Sequence, residues 1–264
     1  MEIADHLGGA IINADALQVF SNWRILTARP STRDEAQLPH RLYGHVPGDR
    51  PYSVGKWLQD VTPLLTENYP PIIVGGTGLY FSALTNGLAD IPRTPKEIRA
   101  RADNLLAQEG LDALLLALDP DTLARIDRQN PMRVQRAWEV QQTTGRGLAS
   151  WQDETPPALL PLSQTQTILL AADRDWLNAR IARRFEWMLE HGALDEARAN
   201  QPAWSPSLPS SKAIGATELM AYLAGTMDLA AARDSATTGT RQYAKRQRSW
   251  FRARMRDWQI HQVG

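Results

Sequence analysis

The first pattern of apolar and polar positions is helical. Ile3, Ala4 and Leu7 share a face, Gly8-Gly9 supplies a stop, and Ala10 to Asn13 form a short apolar run that reads as a buried strand. Further along, Ile72-Ile73-Val74 predicts a buried parallel strand, Gly75-Gly76 a tight turn, and Thr77 the N-cap of a helix reaching about Thr85. From residue 91 the period is continuously helical, broken by Pro95, Gly110, Pro120 and Pro131, and no strand is expected there. Pro156, Pro157 and Pro161 mark a connector, TILLAAD a returning strand, and DRDWLNARIARRFEWMLEHG a long helix. A loop rich in proline and serine, another helix and a basic C-terminal helix follow, with no internal repeat. A strand feeding a helix through a tight turn argues for α/β class with a parallel sheet. The expected division is a core of residues 1–90 and 165–264, and a helical insertion of residues 91–164.

Composition narrows this only a little. With 43% hydrophobic and 22% charged residues over 264 positions, the chain can bury a large core and one smaller unit. No apolar run approaches the roughly 20 residues that span a bilayer, so no membrane partner is expected. Glu2 and Asp5 stand where a secretory signal would be basic, and a cytoplasmic location is expected. With 0 cysteines, disulfides, thiolate metal sites and a cysteine nucleophile are excluded.

The charges balance at 29 basic and 29 acidic residues, so only their distribution is informative. Arg241, Lys245, Arg246, Arg248, Arg252, Arg254 and Arg256 run without an acid and are interleaved with Tyr243, Trp250 and Phe251. Arg241, Lys245, Arg248 and Arg252 fall on one stripe of a helix. Solvated charged faces normally alternate in sign, so this stripe favours contact with RNA or phosphate.

Other candidates are more open. The Gly75-Gly76-Thr77-Gly78 turn before a helix could hold an anion on its N–H groups, or could simply connect. Asp15 follows the first strand, at the end where ligands bind in parallel sheets, and could be a base, a metal ligand or a turn residue; Gln18 could reach the same cleft. Arg133, Arg136 and Glu139 share a helix face, as an ion pair or as a phosphate contact. His40 and His45 have no third ligand near them, which argues against a metal site.

Taken in order, the motifs IINADALQVF, TARP, PHRLY, YSV, IIVGGTGLYFSALTNGL, NPMRVQRAWEV, DRDWLNARIARR, KAIGATE and TRQYAKRQRSWFR resemble those of the bacterial tRNA dimethylallyltransferases, over almost the whole chain. The resemblance implies a P-loop-NTPase-like parallel sheet core, in a nucleotide- and ATP-binding fold class, with a helical insertion domain. It implies prenylation of N6 of the adenosine at position 37, next to the anticodon, with dimethylallyl diphosphate as donor, Mg²⁺ as cofactor and the tRNA anticodon stem-loop as partner. A monomer is expected. Asp15 matches the family's active-site aspartate and Thr77 a threonine of the same channel, and both are assigned catalytic roles.

The segments matching tRNA contacts are Asp15, Ala16, Leu17 and Gln18; Met132, Arg133, Val134, Gln135 and Arg136; and Lys212, Ala213, Ile214, Gly215, Ala216 and Thr217. Thr77, Arg99, Arg241, Lys245 and Arg248 join them. Family members begin with a strand and the loop G-P-T-A-S-G-K-[ST], which would supply a phosphate cradle and an Mg²⁺ ligand. This sequence has no such motif, and the resemblance resumes at Met1, so a core truncated at its N-terminus is expected. Ala16-Leu17 and Ala216-Thr217 also depart from the family's usual residues. The alternative of another class is a catalytically inactive tRNA-binding remnant. A small-molecule kinase fits less well, having no use for the basic stripe.

Overall fold

An unbroken apolar run needs cover on both faces, and β1 (Ala10–Asn13) has it, with every residue buried. Before it, α1 (Glu2–Leu7) ends at Gly8, whose φ of 62° lies in the left-handed region that glycine enters without a Cβ penalty. The computed structural model describes residues 1–264. Two units form: Met1–Ala83 with Leu160–Gly264, and Leu84–Leu159. Their boundaries fall at 83/84 and 159/160, beside the 90/91 and 164/165 read from the helical period.

In the first unit, α2 (Thr32–Gln37) precedes β2 (His40–Arg41), and α3 (Val54–Val61) precedes β3 (Pro71–Val74). The sheet order is β2-β1-β3, all parallel, with Ile11 opposite His40 and Ile72. The turn after β3 leads into α4 (Gly78–Asn86).

The second unit is wholly helical: α5 (Lys96–Glu109), α6 (Leu111–Leu116), α7 (Pro120–Arg125), α8 (Pro131–Thr144) and α9 (Leu148–Asp153). Asp119 and Asn130 cap α7 and α8, each accepting a backbone N–H from the first turn, with proline opening the helix behind them. Ala102, Leu114, Val134, Ala137 and Trp138 make its core.

The chain then returns to the first unit as β4 (Ile168–Ala172), α10 (Arg174–Glu190), α11 (Ala193–Asn200), α12 (Ala216–Leu223), α13 (Leu229–Arg254) and β5 (Gln259–Val263). Phe185, Met188, Leu219, Met220 and Ala236 pack with Trp23 and Leu26. The returning strand does form, but it does not join β1. It pairs in parallel with β5, in a sheet of its own. The sequence reading stopped at the basic helix and missed β5, whose residues are mostly exposed and polar and give no apolar run to read.

Candidate active site

Asp15 sits where the chain leaves the carboxyl end of the central strand, and a buried side chain fixes it there. Asn13 is fully buried, and its Oδ1 accepts the Asp15 N–H at 2.8 Å. Asn13 Nδ2 donates to the Asp15 and Leu42 carbonyls, both at 3.0 Å. The Trp57 indole N–H closes the set by donating to the Asn13 carbonyl at 2.8 Å, and its ring stacks on Tyr80 with centroids 4.6 Å apart. Each polar group of this buried strand end therefore has a partner, which a site held in one geometry requires.

The Asp15 carboxylate is used on one side only. Oδ1 accepts the Leu17 N–H at 2.8 Å and the Gln18 N–H at 3.4 Å, whereas Oδ2 accepts nothing from the chain. Burial raises the Asp15 pKa, against the opposing pull of those two N–H groups and of the Arg184 charge. Gln18 does not lend its amide to the recess, because its Nε2 donates to the carbonyls of Thr27 and Ala28 at 2.9 and 3.3 Å.

The glycine turn braces this loop. Thr77 donates its N–H to the Ala14 carbonyl at 3.1 Å, and its Oγ1 accepts the Ala16 N–H at 2.9 Å. The hydroxyl at the expected N-cap position thus serves the neighbouring loop. A Cβ on Gly75 would come within 2.2 Å of the Ala14 backbone, so close strand-to-turn approach explains that glycine without a bound anion. On the other side α13 closes in: Gln247 Nε2 donates to the Gly76 carbonyl at 2.9 Å, and a Cβ on Gly78 would strike the Trp250 ring.

The residues around Asp15 that the sequence did not reveal are Tyr43, Tyr80, Tyr243 and Arg184. Burial first and the Asp15 charge second push Tyr43 up to about 12, and raise Tyr80 for the same reasons. Tyr243 is also raised, chiefly by burial, while its hydroxyl interacts with Gln247 and Thr77. These phenols are neutral donors at physiological pH. Arg184, on α10, is in no ion pair; its side chain reaches the surface, and desolvation of the part that does not, followed by the neighbouring Arg180 charge, lowers its pKa while Asp15 opposes the change. The Asp15 carboxylate and the Arg184 cation therefore act on each other without a salt bridge.

Helix α13 divides its two roles between opposite faces. Ala232, Ala236, Gly239, Tyr243, Gln247 and Trp250 follow a spacing of three or four and form the inner face, small residues first and site residues after. Arg241, Lys245, Arg248 and Arg252 lie about 180° away at roughly 100° per residue. They form no ion pair, and all but Arg248 are classed as exposed. The basic stripe therefore points away from the Asp15 loop. In the segment from Lys212 to Thr217, only its two end residues are exposed; Ala213 and Ala216 belong to the core.

In the helical unit, Met132 and Arg133 are exposed at the start of α8, Val134 is in the core and Gln135 is buried. Arg99 and Arg136 meet at Glu139, whose Oε2 lies 2.9 Å from the Arg99 guanidinium and 3.9 Å from that of Arg136. No group of three or more His, Asp or Glu that could hold a metal occurs in the chain. His40 is bound to the Leu38 carbonyl and His45 faces Tyr52 and Asp60. Asp15 is the carboxylate beside the turn, and the chain offers no three-donor cage of its own, so a bound Mg²⁺ would depend on the phosphates of a substrate for most of its ligands.

Residues 18–254 match the family model described as IPP transferase. The chain belongs to the IPP transferase family. A curated relative, the tRNA dimethylallyltransferase of Dinoroseobacter shibae, is 62% identical over 262 residues, covering 98% of this chain and 88% of the relative. Among solved structures, the tRNA isopentenylpyrophosphate transferase of Bacillus halodurans is similar at a TM-score of 0.67 and 32% identity, covering 99% of this chain and 84% of that one. A eukaryotic dimethylallyltransferase acting on tRNA reaches a TM-score of 0.82 at 24% identity, covering 99% and 69%, a likeness in fold. The IPP transferase match spans the turn at Thr77, Arg184 and the inner face of α13, and Asp15 lies just before it.

Proposed function

We propose that this chain is a tRNA dimethylallyltransferase, moving a dimethylallyl group from dimethylallyl diphosphate to N6 of the adenosine at position 37, next to the anticodon. In this reaction the N6–C1 bond forms as the C1–O bond to diphosphate breaks, and a proton leaves N6. The observation that carries the assignment is the half-used carboxylate of Asp15. Oδ1 is fixed by two backbone N–H groups, leaving Oδ2 without a donor and able to take that proton. Burial raises its pKa, which makes it a better base than an exposed aspartate.

The leaving diphosphate gathers charge, and Arg184, with no carboxylate bound to it, is a cation whose charge reaches Asp15. Tyr43, Tyr80 and Tyr243 add neutral walls and O–H donors. To reach Asp15 the adenine must leave its stack, at a cost of a few kcal/mol that RNA contacts elsewhere offset. Arg99 and Arg136 are placed to contribute such contacts, as are Lys212, Thr217 and the outer face of α13. Arg133 is held more loosely, 3.8 Å from Asp127. A monomer acting in the cytoplasm belongs to the same reading.

The test is transfer of labelled prenyl group from dimethylallyl diphosphate to an anticodon stem-loop by the purified chain. Label should appear in the RNA, and should be lost with Asp15→Asn. RNA binding without transfer by the native chain would return it to the non-catalytic alternative.

A further inference from the structure

Glu139 is an unusual residue to find inside a helical core. Its side chain is 1% exposed, yet one of its oxygens is engaged by side chains that reach the surface or its edge. Oε2 lies 2.9 Å from Arg99 Nη2, 3.9 Å from Arg136 Nη1 and 3.5 Å from the Thr94 hydroxyl. Oε1 accepts from Gln135 Nε2 at 3.2 Å, and Gln135 also donates to Asp103 at 2.6 Å, so the carboxylate cannot swing. Arg136 donates in addition to Thr94 Oγ1. The two guanidinium groups converge on one oxygen although they come from α5 and α8, and their side chains remain 54% and 39% exposed.

A single buried carboxylate offsets one of two positive charges. What remains is a pair of fixed, forked donors carrying one net positive charge at the surface, a geometry suited to one phosphodiester. A solitary surface arginine would lose side-chain entropy on gripping a phosphate, and these two have already lost much of it.

We propose that Glu139 is a positioning residue that holds Arg99 and Arg136 as a two-pronged clamp for a phosphate of the RNA backbone. The proposal rests on the reading of this chain as an enzyme acting on tRNA. It makes a prediction opposite in sign to simple electrostatics. Removing an acid near a polyanion should strengthen binding, whereas loss of the clamp should weaken it.

The experiment measures Kd for a fluorescent anticodon stem-loop across a salt series, with thermal unfolding to confirm that each variant is folded. Glu139→Gln should weaken binding about 5- to 10-fold and make the salt slope shallower by about one phosphate contact. Arg99→Ala with Arg136→Ala should weaken it at least as much, and adding Glu139→Gln to that pair should change nothing further. If Glu139→Gln does not fold, Glu139→Asp carries the test. It keeps the charge but withdraws the oxygen, so weaker binding supports the clamp and unchanged binding overturns it. Wild-type or tighter binding by a folded Glu139→Gln, with weaker binding in the arginine variants, would overturn the positioning role alone. A further loss when Glu139→Gln is added to the arginine variants would make Glu139 structural and overturn the role as well. Unchanged binding in the arginine variants would overturn the clamp by removing its RNA contact, while transfer to Asp15's substrate would still stand or fall by the prenyl assay.

Discussion

Two carboxylates in this molecule are withdrawn from water, and they are treated in opposite ways. Asp15 in the α/β unit receives only backbone N–H groups, on one oxygen, and burial raises its pKa. Glu139 in the helical unit is met by Arg99, Arg136, Thr94 and Gln135. The first is left with a costly charge and a free oxygen, as a base needs. The second is saturated, as an anchor needs. Burial alone does not mark a reactive acid; the number and kind of partners does.

The largest effect that tests the contrast is on transfer. Asp15→Asn keeps the acceptor for Leu17 and Gln18 but removes the base, and prenyl transfer should fall by about 10²–10⁴-fold in a single-turnover assay. The native enzyme's kcat/KM should decline as pH drops through the raised Asp15 pKa, above the ordinary carboxylate range. A decline only near the ordinary value of 3.8 would remove the burial argument.

Stability should then separate the two acids by sign. A carboxylate whose folded pKa is raised costs stability above its unfolded value, because ionisation favours the unfolded chain. Asp15→Asn should therefore raise Tm at pH 7, and the gain should shrink as pH falls towards 3.8. Glu139→Gln should lower Tm, since Arg99 and Arg136 lose their counter-charge. Both arginines are well exposed, so screening holds the loss to about 1 kcal/mol. Thermal melts of both variants across pH decide it, and shifts of the same sign would dissolve the distinction.

Next in size is a geometric effect at the turn. Gly75→Ala would place a Cβ against the Ala14 backbone, which cannot move without moving Asp15. Transfer should fall roughly tenfold or more, since a misplacement of about 1 Å can cost that much. Native kinetics in Gly75→Ala would show the loop to be more compliant than its packing suggests.

Local patterning made much of this legible. The run Ala10 to Asn13, the strand-turn-helix at residues 72–78, and the helices of the insertion are each written within a dozen neighbouring residues, and they formed as expected, except that β3 is not buried: Ile72 and Ile73 are half-buried and Val74 is 49% exposed. Asp15 could be suspected from its place after a strand. Arg184 and Tyr43 could not, because their importance comes from long-range packing that no local period encodes. One signal was present and overlooked: Tyr243, Gln247 and Trp250 recur at helical spacing on the face opposite the basic stripe. The arginines and lysine drew attention to the wrong side of α13 for the recess. The pairing of β4 with β5 was equally hidden, since a strand's partner across the chain leaves no trace in its own alternation.

The smallest effect concerns Thr77, and it separates a bracing role from a chemical one. Its hydroxyl accepts the Ala16 N–H at 2.9 Å and interacts with Tyr243, so it ties the Asp15 loop to the turn and to α13. Thr77→Val keeps the shape and leaves the Ala16 N–H without its acceptor, a cost of about 1 kcal/mol. If the hydroxyl only braces the loop, transfer should fall about 3- to 10-fold, with KM for RNA rising along with the loss in kcat, because the Asp15 loop would sample more conformations. Thr77→Ser should restore both, since it returns the acceptor. If the hydroxyl instead acts on the reacting groups, kcat should fall alone and much further. A Thr77→Val enzyme with native kinetics would show that Asn13 and the Asp15 turn hold the carboxylate without help, and would confine the Thr77 hydroxyl to stability.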